Sequence, residues 1–235
     1  MSVKIERITL HRVEMRLVEV LITSFGGEAL RPCTIVQVDA EGLTGWGECV
    51  ADATPAYGAE TVDTAWHILR DHFAPQVVGQ RIESVREGRA LLRRFRGNPM
   101  ARAGLEAAVW DVLAQAAGKS LAELLHDGRY ATPPRKAVPV GVSIGIQPDV
   151  QGTLAIVEKR LGEGYRRIKL KIRPGWDVEP AAAVRQHHGD VALMLDANSA
   201  YTLDDAPRLA ELDPLNLLML EQPLWYDDIW QHSKL

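Results

Sequence analysis

Cysteine is scarce in this chain. Cys33 and Cys49 are the only two in 235 residues, too few for a disulfide framework. Lys4, Glu6 and Arg7 stand where a signal peptide would carry an apolar run, so the expected compartment is the reducing cytoplasm. Long hydrophobic runs are also missing. "LNLLML" at 215–220 falls far short of the roughly 20 apolar residues of a membrane helix, and no membrane partner is expected. Charge of one sign is not in excess: 27 basic against 31 acidic residues give a net charge of −4, with no electrostatic footprint for nucleic acid. The one basic stretch, "LLRRFRGNPMAR" at 91–102, reads as a solvated loop. No Walker loop or G-x-G-x-x-G follows a strand, which removes the phosphate cradle of a nucleotide-binding fold. The histidines form no H-E-x-x-H and no cluster with carboxylates. Cys33 and Cys49 have no neighbouring base that would make either a nucleophile.

What is present begins with strands. "VKIERITLHRVEM" alternates, and "TIVQVDAEGLTGWGE" predicts a hairpin turning at Glu41-Gly42. Helical spacing of apolar residues follows over 59–73, 83–95 and 101–125, the last interrupted by a C-capping Gly118. Trp110 falls on the apolar face of that long helix. A Pro-rich connector, "ATPPRKAVP" at 131–139, marks a boundary. Beyond it strands at 137–146, 166–172, 191–198 and 215–223 alternate with helices near 148–162, 177–187 and 202–212. Such alternation predicts a parallel sheet covered on both faces. Asp227 and Asp228 read as the start of a further helix rather than as metal ligands.

In a β/α barrel the catalytic groups sit at the C-terminal ends of the strands. Here those ends carry Lys169 and Lys171, then Asp196 and Asn198, then Glu221 and Gln222. In "RRIKLKIRPG", Ile168, Leu170 and Ile172 alternate with the two lysines, so both ammonium groups share one face. As an edge strand this would be a charge guard, but a strand between two others in a parallel sheet cannot be an edge. Asp196 and Glu221 end the aliphatic runs "LML-D" and "LML-E". Neighbouring carboxylates repel unless a cation lies between them, and a hard divalent ion such as Mg²⁺ suits oxygen ligands. Each lysine disfavours the other's ammonium, so one pKa is expected to fall from its reference of roughly 10.4, making a general base. A base beside a Lewis acid suits removal of a proton next to a carboxylate, the metal stabilising the enediolate.

These motifs resemble the enolase superfamily, in its muconate-lactonising-enzyme-like subgroup, whose known site pattern is a Lys or His base with Mg²⁺. "ARAGLEAAVWDVLAQAAGKSLAELL" is similar to the long helix of that family's capping domain. "IKLKI" is similar to its K-x-K strand, "LDANSAY" to the strand of its first metal ligand, and "LEQPL" to that of its second. The resemblance implies an α/β chain, with an α+β capping domain over 1–130 followed by the N-terminal half, about four strands, of a TIM-like (β/α) barrel over 131–235, truncated there. It implies Lys171 as an acid/base lysine assisted by Lys169, Asp196 and Glu221 as ligands of Mg²⁺ or Mn²⁺, and Asn198 and Ser143 as substrate contacts. Two mobile loops, 22–28 and 48–57, would offer Phe25 and Tyr57 to a small-molecule carboxylate substrate. "YRRIKLKIRPGWD", "VGVSIGIQ" and "DANSAYTLDDA" most resemble N-acylamino acid (N-succinylamino acid) racemases and their relatives the o-succinylbenzoate synthases. A homo-oligomer is expected. The alternatives are a dipeptide epimerase or cycloisomerase of the same subgroup, or an inactive fragment acting by association.

Overall fold

The computed structural model describes residues 2–126 and 131–235. They form two compact units: Met1–Arg16 with Leu30–Lys136, and Leu17–Ala29 with Ala137–Leu235.

In the first unit β1 (Val3–Lys4) pairs with a strand met later, while β2 (Arg7–Thr23), β3 (Gly26–Ala40) and β4 (Leu43–Cys49) lie side by side in that order. Glu41 and Gly42 turn β3 into β4 with φ of 50° and 83°, the left-handed pair of a two-residue hairpin. Helix α1 (Val62–Ile68) starts at a reciprocal Thr61–Thr64 cap and runs through a π turn at Leu69–Phe73 into α2 (Ala74–Val77). Next come β5 (Arg81–Ile82), the partner of β1, then α3 (Val85–Leu91), capped by Ser84. The long helix α4 (Pro99–Ala116) and the short α5 (Leu121–His126) complete the unit, with Gly118 at φ 62° between them.

The orphan N–H groups that open α4 are met from outside it. The buried Glu60 carboxylate accepts from Met100 N at 2.6 Å and Ala101 N at 3.0 Å, which also complements the helix dipole. The flank of α4 lies directly on β4. An added Cβ at Gly47 would overlap the Gly104 carbonyl, and one at Gly104 would come within 2.9 Å of Cys49 Cβ, so glycine on both sides sets the approach. Asp111 and Gln115 of α4 then bond Trp46 N and Thr44 O at 2.9 and 2.8 Å. Val36 and Val38 pack with Leu105, Ala108, Val109 and Val112 into one core.

The second unit is a four-stranded parallel sheet in the order β6 (Val142–Ile144), β7 (Arg167–Lys171), β8 (Ala192–Asp196), β9 (Met219–Glu221). Between the strands run α6 (Val150–Gly162), α7 (Val178–His188) and α8 (Ala206–Ala210), and α9 (Ile229–His232) follows β9. Strand β7 is flanked on both sides, which excludes the edge reading. Ile168, Leu170 and Ile172 join Leu193, Leu195 and Val184 in a buried core, and the alternating positions are left for the site. Arg185 of α7 donates to the carbonyls of Val191, Leu215 and Asn216 at 2.8–3.0 Å, fastening α7 to the segments that lead into β8 and β9. Asp228 caps α9 through Gln231 N, the helix-start role expected of it.

Three expectations are corrected. Residues 22–28 are not an open loop: β2 and β3 extend through them, separated only by Ser24 and Phe25. The strand expected at 215–223 is confined to Met219–Glu221, because Pro214 sits in a 3₁₀ turn and Asn216 has φ 48°. The strand expected at 137–146 pairs only over Val142–Ile144, after Pro139, which has no N–H to give a ladder.

The hairpin tip belongs to the second unit. Ile146 N donates to Ile22 O at 2.8 Å. A Cβ on Gly145 would lie 2.9 Å from Ile22 N and 3.0 Å from its O, so only glycine admits that approach. Glu19 meets Lys159 and Arg160 of α6 at 3.5 and 3.1 Å.

Candidate active site

Parallel register delivers the polar residues to one rim. Lys171 of β7 lies beside Asp196 of β8, and Asp196 beside Glu221 of β9. The strands supply alternation; their ends supply charge.

Asp196 is the centre of the cluster and is 1% exposed. Its Oδ2 accepts from Lys171 Nζ at 2.7 Å and from Lys169 Nζ at 3.0 Å, and its Oδ1 accepts from Asn198 N at 3.0 Å. Asn198 Oδ1 accepts from Lys171 Nζ at 2.7 Å, and Glu221 Oε2 from Lys169 Nζ at 2.9 Å. Lys171 is therefore held by Asp196 and Asn198, and Lys169 bridges Asp196 and Glu221. Burial pushes the Asp196 carboxyl up, but the hydrogen bonds from Lys171, Lys169 and Asn198 N outweigh it and hold the group below the ordinary carboxylate range. Burial likewise works to lower Lys169, yet its bonds to Glu221 and Asp196 prevail and raise it. The fall expected from lysine–lysine repulsion is thus reversed at Lys169, because its ammonium is bonded to two carboxylates.

Sequence reading missed the backbone that carries these groups. Asn198, Ser199 and Gln222 have φ of 44°, 64° and 42°, conformations that cost on the order of 1–3 kcal/mol each in non-glycine residues and gather at functional sites. The turn at 198–199 brings Asn198 N onto Asp196 Oδ1, and Ser199 N bonds Gln222 O at 2.7 Å. Polar residues directly after two aliphatic strands, "DANS" and "EQP", were the available signal. Ser24 was also missed; at the hairpin tip its Oγ lies 3.5 Å from Asn198 O.

The remaining candidates are placed as follows. Ser143 is exposed on β6, in register with Lys169. Phe25 is half exposed at the hairpin tip, its N–H donating to Thr23 Oγ1 at 3.1 Å. Tyr57 is half exposed in the first unit, between β4 and α1.

Two carboxylates, Asp196 and Glu221, converge on one cation, the Lys169 ammonium. The donor set is all oxygen and fits Mg²⁺, which is commonly bound through one or two carboxylates with other oxygens completing its shell. No group of three or more His, Cys, Asp or Glu able to hold a metal occurs among the described residues.

Parallel β/α units that gather charged side chains at the C-terminal rim are the architecture of barrel enzymes. The chain belongs to the mandelate racemase / muconate lactonizing enzyme family: the model of that family's N-terminal domain matches residues 5–126, and the enolase C-terminal domain-like model matches residues 153–235. It is 44% identical over 236 residues to an o-succinylbenzoate synthase of Geobacillus stearothermophilus, covering 100% of this chain and 61% of that protein. It is 45% identical over 232 residues to an N-succinylamino acid racemase of Thermus thermophilus, covering 99% of this chain and 61% of that protein. A crystal structure of an enolase superfamily member from Listeria innocua superposes with a TM-score of 0.90 at 35% identity, covering 99% of this chain and 61% of that one. The chain thus spans about three fifths of the length of these relatives.

Proposed function

We propose that this chain forms part of a Mg²⁺-dependent racemase of N-acylamino acids, with o-succinylbenzoate synthase chemistry available at the same rim. The observation that carries the reading is the Lys171–Asp196–Lys169–Glu221 chain of hydrogen bonds at the ends of three consecutive parallel strands. When bound, a divalent cation held by Asp196 and Glu221 supplies Lewis acidity to a substrate carboxylate. Lys171, aimed by Asp196 and Asn198, is the group placed to take the proton from the adjacent carbon once its Nζ is neutral. Lys169 keeps its charge and offsets the negative charge that develops on the carboxylate. Racemisation also requires a base on the opposite face of that carbon; Lys169 and Lys171, both on β7, are the lysines of the four strands. Ser143, Phe25 and Tyr57 are proposed as substrate contacts.

Two further readings rest on this chain's own residues. Both cysteines are free and buried, which supports a cytoplasmic protein, and no helix of the described residues is long and apolar enough to cross a membrane. Exposed Trp225, Tyr226, Ile229 and Trp230 support a homo-oligomer.

The test is exchange of the substrate α-proton in D₂O, followed by ¹H NMR with N-succinyl-L-phenylalanine and Mg²⁺. The whole protein is expected to exchange it, and Lys171→Ala to slow exchange by about 10²–10⁴, the usual contribution of a positioned base. Absence of exchange with every N-acylamino acid tried would overturn the reading. Exchange with dipeptides alone, or lactone formation alone, would move the protein to the epimerase or cycloisomerase branch.

A further inference from the structure

Away from the rim, the first unit holds a cavity of about 920 Å³ between α3, α4 and α5, within the size range of small-molecule sites. Its floor is apolar: Val85, Trp110, Leu113 and Leu124. Its walls carry Arg86, Arg89, Arg93 and Arg102 against Glu83 and Glu106, leaving two positive charges in excess. The basic stretch 91–102 is therefore not a plain solvated loop, because folding turns Arg93 and Arg102 onto the same cavity as Arg86 and Arg89.

The arginines are not equally engaged. Arg102 donates to the carbonyls of Leu92 and Phe95 at 3.4 and 3.1 Å and lies over the Phe73 ring, so it is built into the fold. Arg89 stands 3.2 Å from Glu106 Oε1 in an ion pair. The side chains of Arg86 and Arg93 form neither a hydrogen bond nor an ion pair with any described residue, although Arg93 N bonds Ala90 O at 3.2 Å. Glu106 Oε1 is buried and receives no hydrogen bond, the Arg89 approach being close but misaligned. That oxygen is closed to a ligand, but the Glu106 side chain is 20% exposed, so the open part of its carboxylate can accept from a ligand N–H.

We propose that this cavity is a second binding site, for an organic dianion with an apolar body and an N–H donor. The two anionic groups would pair with Arg86 and Arg93, for which planar guanidinium is well matched to carboxylate. The N–H would donate to the exposed part of the Glu106 carboxylate, and the body would lie against Trp110 and Leu124. This assignment is independent of the rim chemistry, because none of these residues belongs to the second unit.

N-succinyl-L-phenylalanine has all three features and serves as the probe, with tryptophan fluorescence as the readout and Mg²⁺ removed by chelation. Saturable quenching is expected, weakened about tenfold or more in Arg86→Ala/Arg93→Ala, the loss expected for charge-assisted contacts. It should persist in Lys171→Ala and in Lys169→Ala, and disappear in Trp110→Phe while calorimetry still records binding. The dimethyl ester of the probe should bind poorly. Absence of saturable quenching, quenching unchanged by the arginine replacements, or quenching lost with either rim lysine would each overturn the proposal. Both arginines are exposed and unengaged, so the double variant should melt with the parent, which circular dichroism checks.

Discussion

The second unit buries two aspartates almost completely, Asp196 and Asp177, at 1% and 2% exposure, and surrounds each with donors of a different kind. Asp177 accepts from Val178 N at 2.6 Å, from Tyr201 OH at 2.9 Å and from the guanidinium of Arg208 at 2.5 Å. Asp196 accepts from two lysines and one backbone N–H. Burial pushes both carboxyls up and hydrogen bonds bring both below the ordinary range. The donors make the difference. Arg208 cannot lose its charge, and Tyr201, raised by burial and then by its bond to Asp177, keeps its proton. A lysine, unlike an arginine, is a possible base and swings on a flexible stem. One aspartate is locked and the other is held by groups that can move, which separates a fastening from a candidate site with the same residue at the centre.

The largest expected contrast comes from removing each carboxylate charge in turn. Asp177→Asn should cost about 2 kcal/mol of stability, because the Arg208 guanidinium loses the charge of its buried carboxylate partner. Asp196→Asn should cost roughly half as much, since Lys169 keeps Glu221 as a partner and both lysines can reorient. Activity should run the other way, with proton exchange abolished by Asp196→Asn and nearly retained by Asp177→Asn at a temperature where both are folded. Urea denaturation and the exchange assay measure the two sides, and equal stability losses would erase the distinction.

A smaller contrast lies in pH. The folded pKa of both aspartates is depressed, so each stabilises above the usual carboxylate value and loses that contribution as pH falls through the folded one. The folded pKa of Lys169 is raised, so its contribution is complete below the unfolded value of about 10.4 and is lost as pH rises through the folded one. The rim therefore weakens at both extremes, and so does the Asp177 cluster, because Tyr201, whose folded pKa is raised, loses its contribution as pH rises above the usual tyrosine value. Between pH 9 and pH 11.5, Lys169→Met should show a flatter fall in urea midpoint than the parent; parallel curves would refute the assignment. The smallest effect is expected from Tyr201→Phe, about 1 kcal/mol for one hydroxyl donor, with proton exchange unchanged.

How far the site could be read from sequence depended on period and position. Lys169 and Lys171 were legible because a period of two puts them on one face, and Asp196 and Glu221 because each ends an aliphatic strand. The parallel register then aligned Lys171, Asp196 and Glu221 without further information. What was not legible was backbone. Gly26 and Gly27 looked like a loop, yet the pairing of β2 with β3 continues past them, since pairing is decided by the opposite strand. The left-handed turns at Asn198 and Gln222 have no glycine to announce them. Arg86, Arg89 and Arg93 recur at helical spacing, a stripe that was visible, but its meaning needed Trp110 and Glu106 of α4 beside it.

The hairpin tip has a consequence for how this chain can be recombined. Ile22 is bonded to Ile146, and Glu19 to Lys159 and Arg160, so a segment encoded near the start is part of the unit encoded at the end. A crossover at Lys136 between two relatives would graft one parent's tip onto the other parent's sheet. To exchange that sheet as a module, three breakpoints are needed rather than one, near Arg16, Leu30 and Lys136. Chimeras cut that way should inherit the rim and its tip as a single heritable block.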